Sequence, residues 1–211
     1  MMHKANNLPE IPKGWAFTRL GDVLEFEYGK GLRKDRRNAN GNVPVYGSNG
    51  IVGYHSFPLT NRASLIVGRK GAIGEVHLSE VPSWPIDTTY YVYPPNGIDI
   101  YYVYYLMKTL NLPSLDKSTA IPGLNRDDAY AIIIPLSPPP EQHRIVAKIE
   151  ELFTRLDAGV EALGKVKLQL KRYRQAVLKS AFEGKFTADW REAHKGELEP
   201  ASVLLEKIKV E

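Results

Sequence analysis

Positive charge is concentrated in two glycine-rich stretches of this sequence, in a form suited to binding phosphate. Residues 28–41 read YGKGLRKDRRNANG, with five basic side chains and one acid. Residues 67–74 read VGRKGAIG, whose glycines let the backbone approach a ligand closely. Lysine and arginine on loops are common ligands of nucleic-acid phosphates, although solvated loops and plain hairpins have the same composition. The predicted DNA-contacting residues of these stretches are Lys30, Arg33, Lys34, Arg36, Arg37, Arg69 and Lys70.

Two other polar segments carry side chains that could form hydrogen bonds to a nucleic acid. Residues 44–56 read PVYGSNGIVGYHS, and their polar side chains suit hydrogen bonds to base edges, although a turn-rich structural segment fits equally well. Residues 116–128 read DKSTAIPGLNRDD, a polar loop with a lysine, two hydroxyls and Arg126 nearby. The candidates from these segments are Tyr46, Ser48, Asn49, Tyr54, His55, Lys117, Ser118 and Thr119.

Patterns that would indicate catalysis or a bound cofactor are missing from the sequence. There is no cysteine, which excludes thiolate zinc sites, thiol nucleophiles and disulfides. The five histidines have no ligand spacing, and neither a phosphate loop nor a dinucleotide fingerprint occurs. The match of residues 183–185 to a nuclease-like E-x-K is short and is interpreted as a helix terminus. We predict no catalytic residue, no metal and no cofactor bound by this chain.

Bulk properties narrow the class of protein further. The formal net charge of +4 permits a nucleic-acid partner but does not require one. No apolar run approaches the roughly 18 residues of a membrane span, and residues 1–15 lack the apolar core of a signal peptide. We therefore expect a cytoplasmic protein with no membrane partner.

The elements that would position these loops indicate an α+β fold. Residues 1–137 are predicted to form a strand-rich globular domain, with strand–loop–strand around residues 64–79 and a helix from about residue 99 to Pro113. Residues 138–185 are predicted to form one long helix. Residues 186–211 are predicted to be a linker and one short amphipathic helix that opens at Pro200.

The long helix carries an apolar seam with the seven-residue period of a coiled coil. About 40 residues of helix span about 60 Å, which is too long to bury the seam on a domain of this size. The seam therefore requires another helix, either a second copy or a helix missing from this chain. Its residues are Ile145, Ile149, Leu152, Leu156, Gly159, Leu163, Val166, Leu170, Tyr173 and Val177.

Charge along the predicted helix favours an antiparallel second copy. Residues 141–162 carry five acids and three bases, whereas residues 163–184 carry six bases and one acid. Parallel copies would set like charges side by side, and antiparallel copies set acid against base. In that register Leu152 faces Leu170, and Gly159 makes room for Leu163 at the two-fold axis.

Six motifs occur in one order across residues 8–187 and together resemble a known family. They are GW and RLGDV (14–15 and 19–23), VPVYGSNGIVGY (43–54), LIVGRKGAIGEV (65–76), STAIPGLNRDD (118–128), IPLSPPPEQHRIVAKIEELF (134–153) and LKSAFEGKFT (178–187). The family is the specificity subunit of type I DNA restriction-modification systems. The chain departs from the family in length, because family members usually carry two recognition domains and two conserved helices. It therefore resembles a one-repeat, half form, either natural or truncated.

The resemblance implies a subunit that is not itself an enzyme. Its target recognition domain would read one half of a bipartite site in double-stranded DNA, and its coiled coil would set the half-site spacing. Methyltransferase subunits would dock on it and use S-adenosylmethionine, and a restriction subunit would add ATP- and magnesium-dependent cleavage. Two alternatives stay open from the residues alone: a coiled-coil interaction adaptor without DNA binding, and a DNA-modifying enzyme with an unrecognised site.

Overall fold

The computed structural model describes residues 8–115 and 123–210. The chain divides into two compact units, residues 1–151 and residues 152–211. The strands are Ala16–Arg19 (β1), Glu27–Tyr28 (β2), Val43–Gly47 (β3), Gly50–His55 (β4), Ser64–Gly68 (β5), Val76–Ser79 (β6), Trp84–Pro85 (β7), Thr89–Val92 (β8) and Ile133–Leu136 (β9). The α-helices are Leu20–Val23 (α1), Ile100–Thr109 (α2), Arg126–Tyr130 (α3), Pro139–Phe182 (α4), Ala188–Ala193 (α5) and Ala201–Val210 (α6).

Where the first unit is described, its strands form three sheets. The largest has the order β2-β8-β5-β6, and all of its pairs are antiparallel. A second sheet has the order β4-β3-β7, in which β3 is antiparallel to β4 and parallel to β7. Strands β1 and β9 pair with each other and bring the two ends of the strand-rich region together. The strand-rich α+β prediction for this part of the chain is confirmed.

The core of the first unit lies between the largest sheet and helices α1 to α3. Strand β5 is buried along its whole length, which explains its uninterrupted apolar sequence. Helix α2 lies within the helix expected from about residue 99 to Pro113, and it turns Tyr102, Val103 and Met107 into this core. Tyr90 of β8 and Tyr102 of α2 are both buried.

No helix is predicted between Pro113 and residue 138, yet the structure has the short helix α3 there. The structure ends α3 at Tyr130 and starts β9 at Ile133. The local cause is Asn125, whose side-chain oxygen accepts the backbone N–H of Asp127 at 2.8 Å and so caps the helix. Five helical residues are too few to show a period, so only this cap could have indicated α3.

Helix α4 confirms the predicted long helix, with bounds within a few residues of the expected ones. Prolines stand in its first turn, where the missing N–H groups leave no hydrogen bond unmade. Beyond its end, Gly184 adopts the left-handed conformation with φ 74°, which stops the helix. The tail then contains α5 as well as the expected short helix α6.

The first turns of α4 are hydrogen-bonded to the rest of the first unit. Trp15 Nε1 donates to Glu141 Oε2 at 2.9 Å, and His143 Nδ1 lies 3.0 Å from a carboxylate oxygen of Asp99. Gln142 is 1% exposed, and its Oε1 accepts the backbone N–H of Asp99 at 2.9 Å. Its Nε2 donates to the Ser137 carbonyl at 2.8 Å. Gln142 is therefore the buried connector between α4 and the N-terminus of α2.

Gln142→Leu should lower the free energy of unfolding by about 2–3 kcal/mol, because two backbone groups lose their partner in a buried position. Chemical denaturation followed by circular dichroism measures this loss. Gln169→Leu is the matched control, since Gln169 is exposed on the same helix and its replacement should change stability by less than about 0.5 kcal/mol. Equal effects of the two substitutions would contradict the connector role.

None of the described helices has both the length and the apolarity that a membrane span requires.

Candidate nucleic-acid interface

The loop between β5 and β6 carries Arg69 and Lys70 on a tightly folded backbone. The N–H of Gly74 donates to the carbonyl of Gly68 at 2.8 Å, and Gly71 has a φ of 81° that favours glycine. The N–H groups of Arg69 and Lys70 both donate to the carbonyl of Thr88, at 2.9 and 3.0 Å. Both basic residues therefore extend from a fixed backbone rather than from a free loop.

Arg69 lines a cleft that we call the Tyr28 cleft. It has a volume of about 400 Å³ and is open to solvent. The residues that line it are Tyr28, Arg69, Lys70, Tyr90, Gly123, Leu124, Asn125, Arg126 and Asp127. The cleft thus joins the β5–β6 loop, strands β2 and β8, and the segment that opens α3.

Two arginines share one aromatic ring in the Tyr28 cleft. The guanidinium carbon of Arg69 lies 5.4 Å from the Tyr28 ring centre, and that of Arg126 lies 5.5 Å from it. These distances are typical of cation–π contacts. The Tyr28 side chain itself is 56% exposed, so an aromatic face and two cations meet at a solvent-accessible site.

Backbone carbonyls hold the two guanidinium groups in place. Arg69 donates from Nε and Nη2 to the carbonyl of Asp87, at 3.2 and 2.5 Å. Arg126 donates from Nη1 to the carbonyl of Phe26 at 3.4 Å. Within residues 8–115 and 123–210, no carboxylate forms an ion pair with either group. Their charge is therefore available to an anionic ligand, although the carboxylate of Asp127 also lines the cleft.

The second tyrosine of the cleft keeps its proton at neutral pH. Burial, with the neighbouring Tyr28 phenol as the second cause, raises the pKa of Tyr90 to about 12, and the nearby Arg69 and Arg126 lower it by less. Its hydroxyl donates to the carbonyl of Leu124 at 3.2 Å. Tyr90 therefore ties the 123–125 segment to the sheet as a neutral donor.

The turn between β3 and β4 lies against the β5–β6 loop. The hydroxyl of Ser48 accepts the N–H of Ala72 at 3.3 Å, and its carbonyl lies 3.1 Å from Nε2 of His77. Asn49 is exposed at the tip of the same turn. The structure therefore brings Ser48 and Asn49 close to the loop of Arg69 and Lys70.

The basic loop at residues 28–41 packs along β4. Arg37 donates to the carbonyls of Val52 at 2.9 Å and Leu32 at 3.3 Å, so its guanidinium holds the loop to the strand. Arg33 pairs with Asp35 at 3.3 Å in solvent. The remaining predicted contacts of this loop, Lys30, Lys34 and Arg36, are exposed.

Three other candidates differ in exposure. Tyr46 is buried, and its hydroxyl is 3.5 Å from the carbonyl of Leu78. His55 is partly buried, with its ring 5.2 Å from that of Trp84. Tyr54 is 43% exposed and can reach a ligand without rearrangement. Lys117, Ser118 and Thr119 lie outside the described residues.

Tyr28 was not predicted as a site residue, and Arg126 was noted only as a neighbour of the 116–128 loop. Tyr28 ends the short strand β2, and Arg126 opens α3. Neither position carries a sequence signal for ligand contact, because the cleft is assembled by pairing of β2 with β8 and by packing of 123–127 on the β5–β6 loop.

The seam of α4 is exposed over most of its length. Ile145 packs against the core of the first unit, and Ile149 is partly buried. From Leu152 onward the apolar seam residues are about half exposed or more, apart from the partly buried Val177. The exposed fractions are Leu152 49%, Leu156 62%, Leu163 71%, Val166 48%, Leu170 56% and Tyr173 68%. A Cβ at Gly159 would meet no atom within 4 Å.

We find no candidate metal site in the part of the chain that the structure describes. No group of three or more histidine, aspartate or glutamate side chains there is arranged to hold an ion.

The curated proteins that this chain resembles include two specificity subunits of type I restriction enzymes. The chain is 33% identical over 129 residues to the type I restriction enzyme EcoDI specificity subunit of Escherichia coli, which covers 57% of this chain and 29% of that protein. It is 31% identical over 152 residues to the EcoBI specificity subunit of the same species, which covers 69% of this chain and 31% of that protein. The chain therefore spans about a third of the length of these curated relatives.

Solved structures share the fold. The HsdS subunit of Thermoanaerobacter tengcongensis matches with a TM-score of 0.63 at 23% identity, over 83% of this chain and 46% of that one. A chain from a structure on complex assembly and conformational transition of the type I R-M system matches with a TM-score of 0.66 at 23% identity, over 82% of this chain and 47% of that one.

The model of one protein family matches residues 12–163, more than two thirds of the chain. That stretch includes the Tyr28 cleft, the β3–β4 turn and the base of α4. The chain therefore belongs to the family described as the type I restriction modification DNA specificity domain.

Proposed function

We propose that this chain reads DNA sequence as a specificity component of a type I restriction-modification system and catalyses no reaction itself. Family membership over residues 12–163 is the observation that carries this proposal. The Tyr28 cleft supports it, because two guanidinium groups that have no ion-pair partner among the described residues lie beside an exposed ring, which suits a nucleic-acid backbone. In this proposal residues 1–137 form the DNA-reading domain, residues 138–185 the coiled coil, and residues 186–211 the linker and tail.

We further propose that α4 pairs with a second copy in the antiparallel direction. The apolar residues exposed from Leu152 to Tyr173 support this, since such a stripe is buried in a coiled coil. The change from acidic to basic composition along α4 supports the antiparallel direction. Two identical readers related by a two-fold axis would then contact inverted copies of one half-site.

Partner subunits would supply the chemistry in this proposal. Methyltransferase subunits carrying S-adenosylmethionine would dock on the paired helices, and a restriction subunit using ATP and magnesium would complete the assembly. In this proposal the assembly acts in the cytoplasm.

Selection from a library of random duplexes tests the proposal. The purified chain should enrich a site made of two inverted copies of one short sequence with a fixed gap, because symmetric proteins bind symmetric sites. Sequencing of the retained duplexes measures this. Enrichment of no sequence, together with no duplex binding at about 50 mM salt, would favour an interaction adaptor instead.

A shortened helix provides the matched variant for this selection. Removal of residues 160–166 keeps the seam in phase and shortens α4 by about 10 Å, or about three base pairs. The enriched gap should shrink accordingly while the half-site sequence stays the same. An unchanged gap would contradict the proposal that α4 sets the spacing.

A further inference from the structure

We propose that the Tyr28 cleft holds one phosphodiester group of the DNA backbone between the guanidinium groups of Arg69 and Arg126. This inference rests on the proposed function, because it presumes a DNA ligand. It goes beyond that function in naming the site, the ligand group and two residues, Tyr28 and Arg126, that sequence patterns do not single out.

The two arginines share one aromatic ring and one cleft. Both guanidinium carbons lie about 5.5 Å or less from the same ring centre, and both residues line the same cleft of about 400 Å³. A phosphate bound between them would meet two planar sets of N–H donors, which match its oxygens in shape.

Both cations are positioned before any ligand arrives. Arg69 is held by the carbonyl of Asp87, and Arg126 by the carbonyl of Phe26 and by the ring of Tyr130 at 5.8 Å. Arginine has five N–H donors, so each guanidinium keeps N–H groups beyond those used on the backbone. Because the side chains are already ordered, binding costs less conformational entropy than binding by free surface lysines.

The charge balance favours an anion over a base edge. Among the described residues that line the cleft, Arg69, Arg126 and Lys70 oppose one carboxylate, that of Asp127. Within the described residues neither arginine has an ion-pair partner. A bound phosphodiester would give both cations an anionic partner, whereas a neutral base would not.

The chain provides a matched control at the other end of the same strand. Arg62 precedes β5 and Arg69 follows it, and the guanidinium of Arg62 lies 4.8 Å from the ring centre of Tyr93. Arg62 therefore makes the same kind of aromatic contact on its own. Arg62→Gln removes the same charge without touching the proposed clamp.

Binding of the full chain to a random-sequence duplex of about 30 base pairs, measured across a salt series, tests the clamp. Arg126→Gln should weaken binding about tenfold at low salt, and Arg62→Gln should leave it unchanged. Arg126→Lys should bind more tightly than Arg126→Gln but less tightly than the unaltered chain, because it keeps the charge and loses the planar set of donors. Thermal melting of each variant checks that the fold is intact.

A double variant tests whether one phosphate is shared. Loss of both Arg69 and Arg126 should reduce the magnitude of the slope of log affinity against log salt by about one unit, because one phosphate contact is lost. A loss of two units would show two separate contacts and overturn the shared clamp. At matched ionic strength, millimolar adenosine monophosphate should not displace the duplex, and displacement would assign the cleft to a free nucleotide instead.

Different results would contradict the proposed function and the proposed clamp. If the unaltered chain binds no duplex even at low salt, the proposed function fails and the clamp with it. If the unaltered chain binds but Arg126→Gln binds as well as Arg62→Gln, only the clamp is wrong.

Discussion

Leu170→Asp should abolish self-association of this chain, raising the dimer dissociation constant by at least about 100-fold. The proposed antiparallel register sets Leu170 against Leu152 of the second copy, and the two-fold axis repeats the contact. Each pair of chains would therefore bury two carboxylates in an apolar seam, at a cost of several kcal/mol. A cost of about 1.4 kcal/mol already corresponds to a tenfold loss of affinity. Sedimentation analysis over a range of concentrations measures the change.

Leu168→Asp is the control for this prediction. Leu168 is 50% exposed and Leu170 is 56% exposed, so the two substitutions place the same charge at positions of similar exposure. They differ by about 200° around the helix, which puts Leu168 on the face away from the seam. Leu168→Asp should leave the dimer intact. Monomers from the unaltered chain, or equal effects of both substitutions, would contradict self-pairing through this seam.

Disulfide crosslinking tests the direction in which the two helices pair. The chain contains no cysteine, so Leu152→Cys and Leu170→Cys can be made without background. Mixed single-cysteine chains should form a disulfide between positions 152 and 170, whereas each variant alone should form none. Crosslinks between two copies of Leu152→Cys would indicate parallel helices.

Gly68→Ala should unfold the strand-rich unit or destabilise it by about 3–5 kcal/mol, with loss of any DNA binding. A Cβ at Gly68 would overlap the carbonyl of Ala72 and lie 3.3 Å from the Cβ of Ser48. The backbone cannot move aside, because the N–H of Gly68 donates to the carbonyl of Glu75 at 2.8 Å. Overpacking against fixed backbone is among the causes of large single-residue effects. Thermal melting measures the loss.

Gly164→Ala gives the opposite expectation and so serves as the control. Gly164 lies in the middle of α4, and a Cβ there would meet no atom within 4 Å. Alanine favours a helix over glycine by about 1 kcal/mol, so this variant should be as stable as the unaltered chain or more so. A melting temperature of Gly68→Ala equal to that of Gly164→Ala would show that the β5–β6 loop tolerates the added carbon.

Sequence periodicity was enough to predict the elements whose contacts are regular. The apolar run of β5 and the heptad pattern of α4 both predicted the right element, because a strand buried on both faces is apolar throughout and a helix with an apolar stripe repeats it every seven residues. The parallel pairing of β3 with β7 left no such pattern, since it joins two-residue β7 to a strand far away in the chain. Helix α3 was missed because its single turn shows no period.

The candidate site was only partly predictable, for a related reason. Arg69 and Lys70 stood out because their neighbours are glycines, which is a local signal. Tyr28 and Arg126 became neighbours of Arg69 only through strand pairing and the packing of α3, which are long-range contacts. Arg37 shows the converse, because its charge suggested a ligand while the structure gives its guanidinium two backbone carbonyls.

Self-association through α4 should depend on temperature, because the exposed stripe on this helix is made mostly of leucine and valine. Association of such aliphatic surfaces is driven almost entirely by water entropy near 25 °C and carries a negative heat-capacity change. The proposed pairing of two copies should therefore weaken on cooling, unlike a contact made of hydrogen bonds. Chilled, dilute samples would contain more single chains than warm ones, and calorimetry across that range would measure how much aliphatic surface leaves water.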